Sequence, residues 1–243
     1  MVGNFELDAF LQKYLNLDKV KDYCPNGLQI EGKKHINKIV TGVSANLDLI
    51  LESVDRKADA IIVHHGFFWK EEDQKIINWK YNRIMPIIKN DINLFSYHLP
   101  LDVHFEIGNN VALAELLNLC PLKKLYSKNQ PYGVMCRPRN KITISNLIHT
   151  IERRLGRKTL VVGQSKTCDS IAICTGSGQR FIENAYQEGA EVYISGEISE
   201  HTTHLAKELG VLYVSAGHHA TERYGILKLA SLLEKNFEIE NPV

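Results

Sequence analysis

Residues 39–65 (IVTGVSANLDLILESVDRKADAIIVHH) align without a gap on residues 171–197 (IAICTGSGQRFIENAYQEGAEVYISGE). Each copy reads as an apolar strand, a turn of small residues, an amphipathic helical stretch and a second strand entered through Ala-Asp or Ala-Glu. A strand–helix–strand unit used twice narrows the fold sharply, because such a crossover joins parallel strands. After each copy comes another short apolar segment, 92–97 and 211–216, followed by a histidine and then by a helical pattern, 110–119 and 221–234. Between the copies, 121–169 carries turn signals at Asn129-Gln-Pro and Arg137-Pro-Arg-Asn, an expected strand near 133–137 and an amphipathic helix over 145–155. It reads as an αβ insertion that begins the second half. The expected architecture is α/β, with two linked α/β domains related by the βαβ pseudo-repeat. The expected cut gives 1–122, carrying His64, His65 and Asp102, and 123–243, carrying His218 and Glu222, with a metal site formed when the halves dock.

Parallel strands bring their carboxyl ends to one edge of a sheet, where ligands collect in open α/β folds. The candidate metal donors fall at such edges. The strand 60–63 is apolar on both faces, and His64 and His65 follow as it ends. Neighbouring side chains on extended backbone diverge, so the pair suits two cations better than chelation of one. A single histidine after a strand is more often a packed structural residue. Two in succession before Gly66 point toward metal.

The segment 96–104 holds His98, Asp102 and His104, and Pro100 is expected to keep it from becoming helix. Asp102 is the hard donor of the three. His98 reads as a ligand, a general acid or base, a hydrogen-bond partner behind the ligands, or a strand-end cap; His104 reads as exposed. In the segment 217–223, a helix beginning near His219 sets His218 and Glu222 one turn apart, and a carboxylate there can bridge two ions roughly 4 Å apart. A solvated helix face carries the same pattern. Glu197 stands where His65 stands in the first copy. Glu197 and His201 read as substrate-pocket or proton-transfer residues, or equally as the polar start of a helix. The turn Thr175-Gly-Ser-Gly178 offers backbone amides to a phosphate, yet it lacks both the third glycine of a dinucleotide fingerprint and the Gly-Lys-Ser/Thr of a P-loop, so close packing is the better reading.

Composition closes off several classes. Lysine and arginine number 29 against 28 acidic residues, so no global charge recruits nucleic acid or an anionic membrane surface. The five cysteines are scattered and never spaced C-x-x-C, which argues for reduced thiols rather than a disulfide frame or thiolate zinc site. No leader pattern or stretch of about 20 apolar residues is present, and a cytoplasmic location is expected.

The motifs Pro25-Asn-Gly-Leu-Gln-Ile-Glu-Gly, His64-His-Gly, His98-Leu-Pro-Leu-Asp102, Gly108-Asn-Asn, Gly189-Ala-Glu-Val-Tyr-Ile-Ser-Gly-Glu197 and Gly217-His-His-Ala-Thr-Glu222 together resemble the GTP cyclohydrolase I type 2 family, the Nif-three-like dinuclear metal-centre proteins, in its short bacterial form. The resemblance runs from about Tyr23 to Arg223. It implies His64, His65, Asp102, His218 and Glu222 as metal ligands with Glu222 bridging, two divalent cations (zinc, iron, manganese or nickel), two linked α/β domains and a ring-shaped homohexamer. It also implies hydrolytic opening of the GTP guanine imidazole ring with release of formate. His98, Glu197 and His201 are then the proton-transfer candidates, and Arg180 or Arg223 the candidates for holding triphosphate. The same donors are compatible with phosphoester hydrolysis, or with a non-catalytic metal-binding scaffold for a protein or nucleic-acid partner. Near-zero net charge argues against nucleic acid.

Overall fold

The structure is a computed structural model that describes residues 1–240. The chain forms two compact units, one of residues 1–101 with 226–243 and one of residues 102–225. This division differs from the cut at 122/123. It places Asp102 with His218 and Glu222, and it returns the C-terminal segment to the first unit.

The first unit opens with β1 (Val2–Gly3) and α1 (Asn4–Tyr14), followed by β2 (Gly27–Ile30), β3 (His35–Ile36), β4 (Ile39–Ser44), α2 (Leu47–Asp55), β5 (Ala60–His65), α3 (Asn78–Lys89), β6 (Asn93–Ser96) and the start of α4 (Leu99–Val103), whose last two residues are counted with the second unit. Its main sheet has the order β2-β6-β5-β4, with β4, β5 and β6 parallel and β2 antiparallel at the edge. The expected crossover is present: β4-α2-β5 is a parallel unit, and Asn46 caps α2 by accepting the Leu49 amide at 2.9 Å. Strand β5 is central and covered on both faces. Ala60, Ile61, Ile62, Val63 and His64 are each 0% exposed, the burial that a continuous apolar run in a parallel sheet requires.

The second unit continues with α5 (Asn109–Leu116), β7 (Leu119–Ser127), β8 (Gln130–Pro138), α6 (Ile144–Leu155), β9 (Leu160–Val162), β10 (Ile171–Cys174), α7 (Ile182–Gln187), β11 (Val192–Ser195), α8 (Glu200–Leu209), β12 (Leu212–Ser215) and α9 (His218–Thr221). Its sheet order is β7-β8-β10-β11-β12-β9. Strands β10, β11 and β12 are parallel, and β9 is antiparallel to β12. The pseudo-repeat therefore extends beyond the aligned segments. Three parallel strands in each unit carry one antiparallel strand, β2 or β9, on the same side, and each of those strands precedes its repeat in sequence.

The hairpin β7-β8 is added on the opposite edge, against β10. Helix α6 forms where its amphipathic pattern placed it. Thr143 accepts the Asn146 amide at its start, Gly156 adopts φ 69° at its end, and Leu147, Ile151 and Leu155 are buried. The chain closes with α10 (Arg223–Asn236). Beyond it Phe237 packs edge-on against Phe10, with ring centroids 5.1 Å apart, and Glu240 exchanges backbone hydrogen bonds with Asn37 and Ile39.

One local expectation is corrected. Leu99–Val103 is a short helix despite Pro100. Proline in a first helical turn gives up an amide that has no intrahelical partner there, so it costs little.

Candidate functional site

In the first unit the donors gather at the carboxyl ends of β5 and β6. His64 is fully buried and its Nδ1 donates to the Tyr97 carbonyl at 3.0 Å. His65, partly exposed, shares a hydrogen bond of 3.0 Å between its Nδ1 and Ser44 Oγ at the end of the neighbouring β4. His98 follows β6, and its Nδ1 donates to Asp22 Oδ1 at 2.9 Å. One ligand atom from each of His64, His65 and His98 lies within 4.8 Å of the others. The ring centroids of His64 and His65 are 4.5 Å apart, and those of His64 and His98 5.1 Å.

Asp22 deserves its place through its partners. Its side chain is 4% exposed, and besides His98 it accepts from Asn26 Nδ2 at 2.9 Å and from the Leu99 amide at 2.8 Å. Burial alone would raise its pKa, but the hydrogen bond and charge of His98, with those two further donors, outweigh burial and bring it down to about 2. An ionised carboxylate behind an imidazole fixes both the tautomer and the direction of the ring.

In the second unit the donors surround the turn that follows β10. Asp102 is 7% exposed, and its Oδ1 accepts from Asn109 Nδ2 at 2.9 Å and from Thr175 Oγ1 at 3.3 Å. Asn110 holds the backbone on both sides, donating to the Asp102 carbonyl and accepting the Thr175 amide. Glu222 is 2% exposed and lies against Gly176, where a Cβ would overlap Glu222 Oε1. Gly176 also has φ 62°, so the position excludes a side chain twice over. This is the close packing expected of the Thr175–Gly178 turn.

His218 Nε2 is 3.0 Å from Glu222 Oε2, one helical turn away, and its Nδ1 donates to Glu197 Oε1 at 2.6 Å. The hydrogen bond with Glu222, helped by that carboxylate's charge and by Glu197, overcomes burial and raises the His218 pKa to about 9. Two carboxylates that favour a proton on this ring also favour a divalent cation at Nε2, since both are positive charges accepted at the same place.

One pattern joins the two units. In His64, His65, His98 and His218 the Nδ1 is engaged by a backbone carbonyl, a hydroxyl or a carboxylate, so Nε2 is the nitrogen each ring could offer a cation. That is the arrangement metal-ligating imidazoles adopt. With two carboxylates that are almost fully buried, Asp102 and Glu222, the donor chemistry fits divalent cations.

Of the three proton-transfer candidates, His98 lies within the first unit's histidine cluster and Glu197 directly supports His218. His201 is exposed in the first turn of α8, and no hydrogen bond among the described residues links it to Glu197 or His218. The cap of that helix is Ser199, which accepts the Thr202 amide. Arg180 lies over the Phe181 ring, 4.7 Å from its centroid, and Arg223 over Tyr224 at 5.9 Å. His104 is half-buried rather than exposed.

The supports Asp22 and Ser44 carried no sequence signal of their own as site residues, while Asn109 and Asn110 stood in the Gly108-Asn-Asn motif without an assigned role. For Ser44 the repeat held a clue. Ser44 aligns with Gly176, so one position bears a hydroxyl that holds His65 in one copy and no side chain in the other. Among the described residues the five cysteines form no disulfide and no helix is long and apolar enough to cross a membrane.

A family model described as Duf34/NIF3 (NGG1p interacting factor 3) matches residues 5–242. The chain is 44% identical over 252 residues to the GTP cyclohydrolase 1 type 2 homolog of Vibrio cholerae, covering 100% of both chains. It is 45% identical over 253 residues to the protein of the same name from Haemophilus influenzae, covering 99% of this chain and 100% of that one. Among solved structures it resembles protein ybgI, described as of unknown function, with a TM-score of 0.95 and 43% identity across 99% of this chain and 97% of the other.

Proposed function

The chain belongs to the Duf34/NIF3 family, and from that premise we propose that it is a dinuclear metal-dependent hydrolase. His64 and His65 of the first unit and Asp102, His218 and Glu222 of the second would together hold two divalent cations, Glu222 being the carboxylate shared between them. The observation that supports this reading is the tie at Nδ1 of His64, His65 and His218, which orients each ring with Nε2 as the nitrogen it would offer a cation, beside the two almost fully buried carboxylates of Asp102 and Glu222. Imidazole and carboxylate donors are compatible with zinc, iron, manganese or nickel.

The proposed reaction is hydrolytic opening of the guanine imidazole ring of GTP with release of formate. Relatives named as homologs of GTP cyclohydrolase 1 type 2 support the assignment of substrate. Divalent cations supply Lewis acidity and an activated water at neutral pH. His98, oriented by Asp22, delivers or removes a proton at the ring nitrogens. Glu197 holds the His218 ring, and the exclusion of side chains at Gly176 keeps Glu222 in place. Arg180 or Arg223 is assigned to the triphosphate. His201, without a tie to the other groups, is assigned no step. The active form is proposed to be a homohexamer in the cytoplasm.

The test is incubation of protein loaded separately with manganese, zinc, iron(II) and nickel with GTP, following formate and pterin fluorescence. Formate release with at least one metal is expected. Its absence with all four would remove the cyclohydrolase assignment.

A further inference from the structure

Beside the three histidines of the first unit stands an aromatic pair that the metal chemistry does not use. Tyr23 and Trp69 have ring centroids 5.6 Å apart. Both meet His98 edge-on, Tyr23 at 5.1 Å and Trp69 at 5.0 Å, and Trp69 lies 6.0 Å from His65. Tyr23 is 49% exposed, although it borders groups that are almost fully buried.

The loop that carries Trp69 is tied along its length. Gln29 holds Phe67 at two points, its Oε1 accepting the Phe67 amide at 2.8 Å and its Nε2 donating to the Phe67 carbonyl at 3.1 Å. Gly66 leaves room for this, since a Cβ there would overlap Gln29 Oε1. The Lys70 amide donates to the Tyr23 carbonyl at 3.0 Å, which joins the two aromatic segments through their backbones. Farther along, Lys80 is only 2% exposed, donates to the Asp73 carbonyl at 2.6 Å and pairs with Glu72 at 3.1 Å.

A long surface loop anchored by a buried lysine and a bidentate glutamine has given up the freedom such loops usually keep. What it presents is a fixed aromatic surface next to metal-type donors. Rigid aromatic faces beside a polar reaction centre suit planar heteroaromatic rings, which stack on them with little ordering cost.

We propose that Tyr23 and Trp69 form a stacking subsite for a purine-type ring, which places the ring of the substrate against His98 and His65. They are specificity-determining residues: they read a planar base, while phosphates are bound elsewhere. The inference rests on the nucleotide reading above and deepens it, but its test is separable.

Trp69 and Trp79 are the two tryptophans of the chain, and Trp79 is 51% exposed on α3, so Trp79→Phe leaves Trp69 as the sole indole reporter. In that variant, guanosine and GTP are expected to quench emission, whereas tripolyphosphate and ribose 5-phosphate leave it unchanged. Tyr23→Ala is expected to weaken guanosine binding roughly ten-fold, the usual order of one lost stacking partner, with Tyr23→Phe near wild type. Formate release from GTP with no quenching, and with KM unchanged in Tyr23→Ala, would overturn the stacking subsite alone. Quenching by tripolyphosphate equal to that by GTP would also overturn it. Quenching by guanosine without turnover of GTP would uphold the subsite and remove the cyclohydrolase reading.

Discussion

Asp22 and Gly176 act in opposite ways, one by a charge and the other by an absent side chain. The carboxyl of Asp22 titrates at about 2 when folded, below its ordinary 3.8. A depressed folded pKa means stability that is present above about pH 4 and lost as pH falls toward 2. The shift corresponds to roughly 2 kcal/mol for a side chain this buried. Asp22→Asn is expected to lose about that much at pH 7, measured by urea unfolding, with the gap to wild type closing between pH 4 and pH 2. A gap that stays constant with pH would mean that Asp22 matters through packing alone. Gly176→Ala places a methyl where Glu222 Oε1 lies and forces an L-residue to φ 62°. Overpacking and left-handed backbone together are expected to cost about 2–4 kcal/mol and to reduce metal content. Wild-type stability and metal content in this variant would show that Glu222 does not depend on the gap. Neither residue is marked as a metal-site residue in the sequence: Asp22 is an acidic residue far from every donor along the chain, and Gly176 lies in a turn that offers amides to a phosphate but reads better as close packing.

At the scale of elements, what was legible followed from periodicity, and what was hidden depended on pairing. Strands β4, β5, β6, β10, β11 and β12 are apolar runs between helical patterns, so their existence and parallel order could be read directly. Strands β2 and β9 are short, half-exposed edge strands whose only strong signal is a partner distant in sequence. Strand β7 contains Pro121 and two lysines, an edge composition that masks a long strand. Helix α4 is hidden in the sequence because Pro100 reads as a breaker until its place in the first turn is known. The turn between β7 and β8 is a two-residue loop with Lys128 at φ 48° and Asn129 at φ 65°, positive at both central positions as a type I′ turn requires. Asparagine adopts that region at lower cost than lysine. Lys128→Asn is therefore expected to stabilise the protein by about 0.5 kcal/mol in thermal unfolding. A loss of stability would mean that Lys128 contributes a contact worth more than the strain.

At the scale of the whole molecule, the duplication was visible and the boundaries were not. Hydrophobic periodicity marks α10 as a core-facing helix but does not say which core it faces, and the segment from Ile226 onward belongs with the first unit. The same change of boundary moves Asp102, so that two candidate ligands fall in one unit and three in the other. Each unit orients its own donors through its own hydrogen bonds: Ser44 and the Tyr97 carbonyl for one set, Glu197, Asn109 and Thr175 for the other. The central claim is that these sets act together on two cations. It is tested most directly by elemental analysis of the purified protein beside Glu222→Ala, with circular dichroism to verify folding. The account expects two divalent cations per chain in the wild type and one or fewer in the variant. Two cations retained at wild-type affinity in folded Glu222→Ala would contradict it.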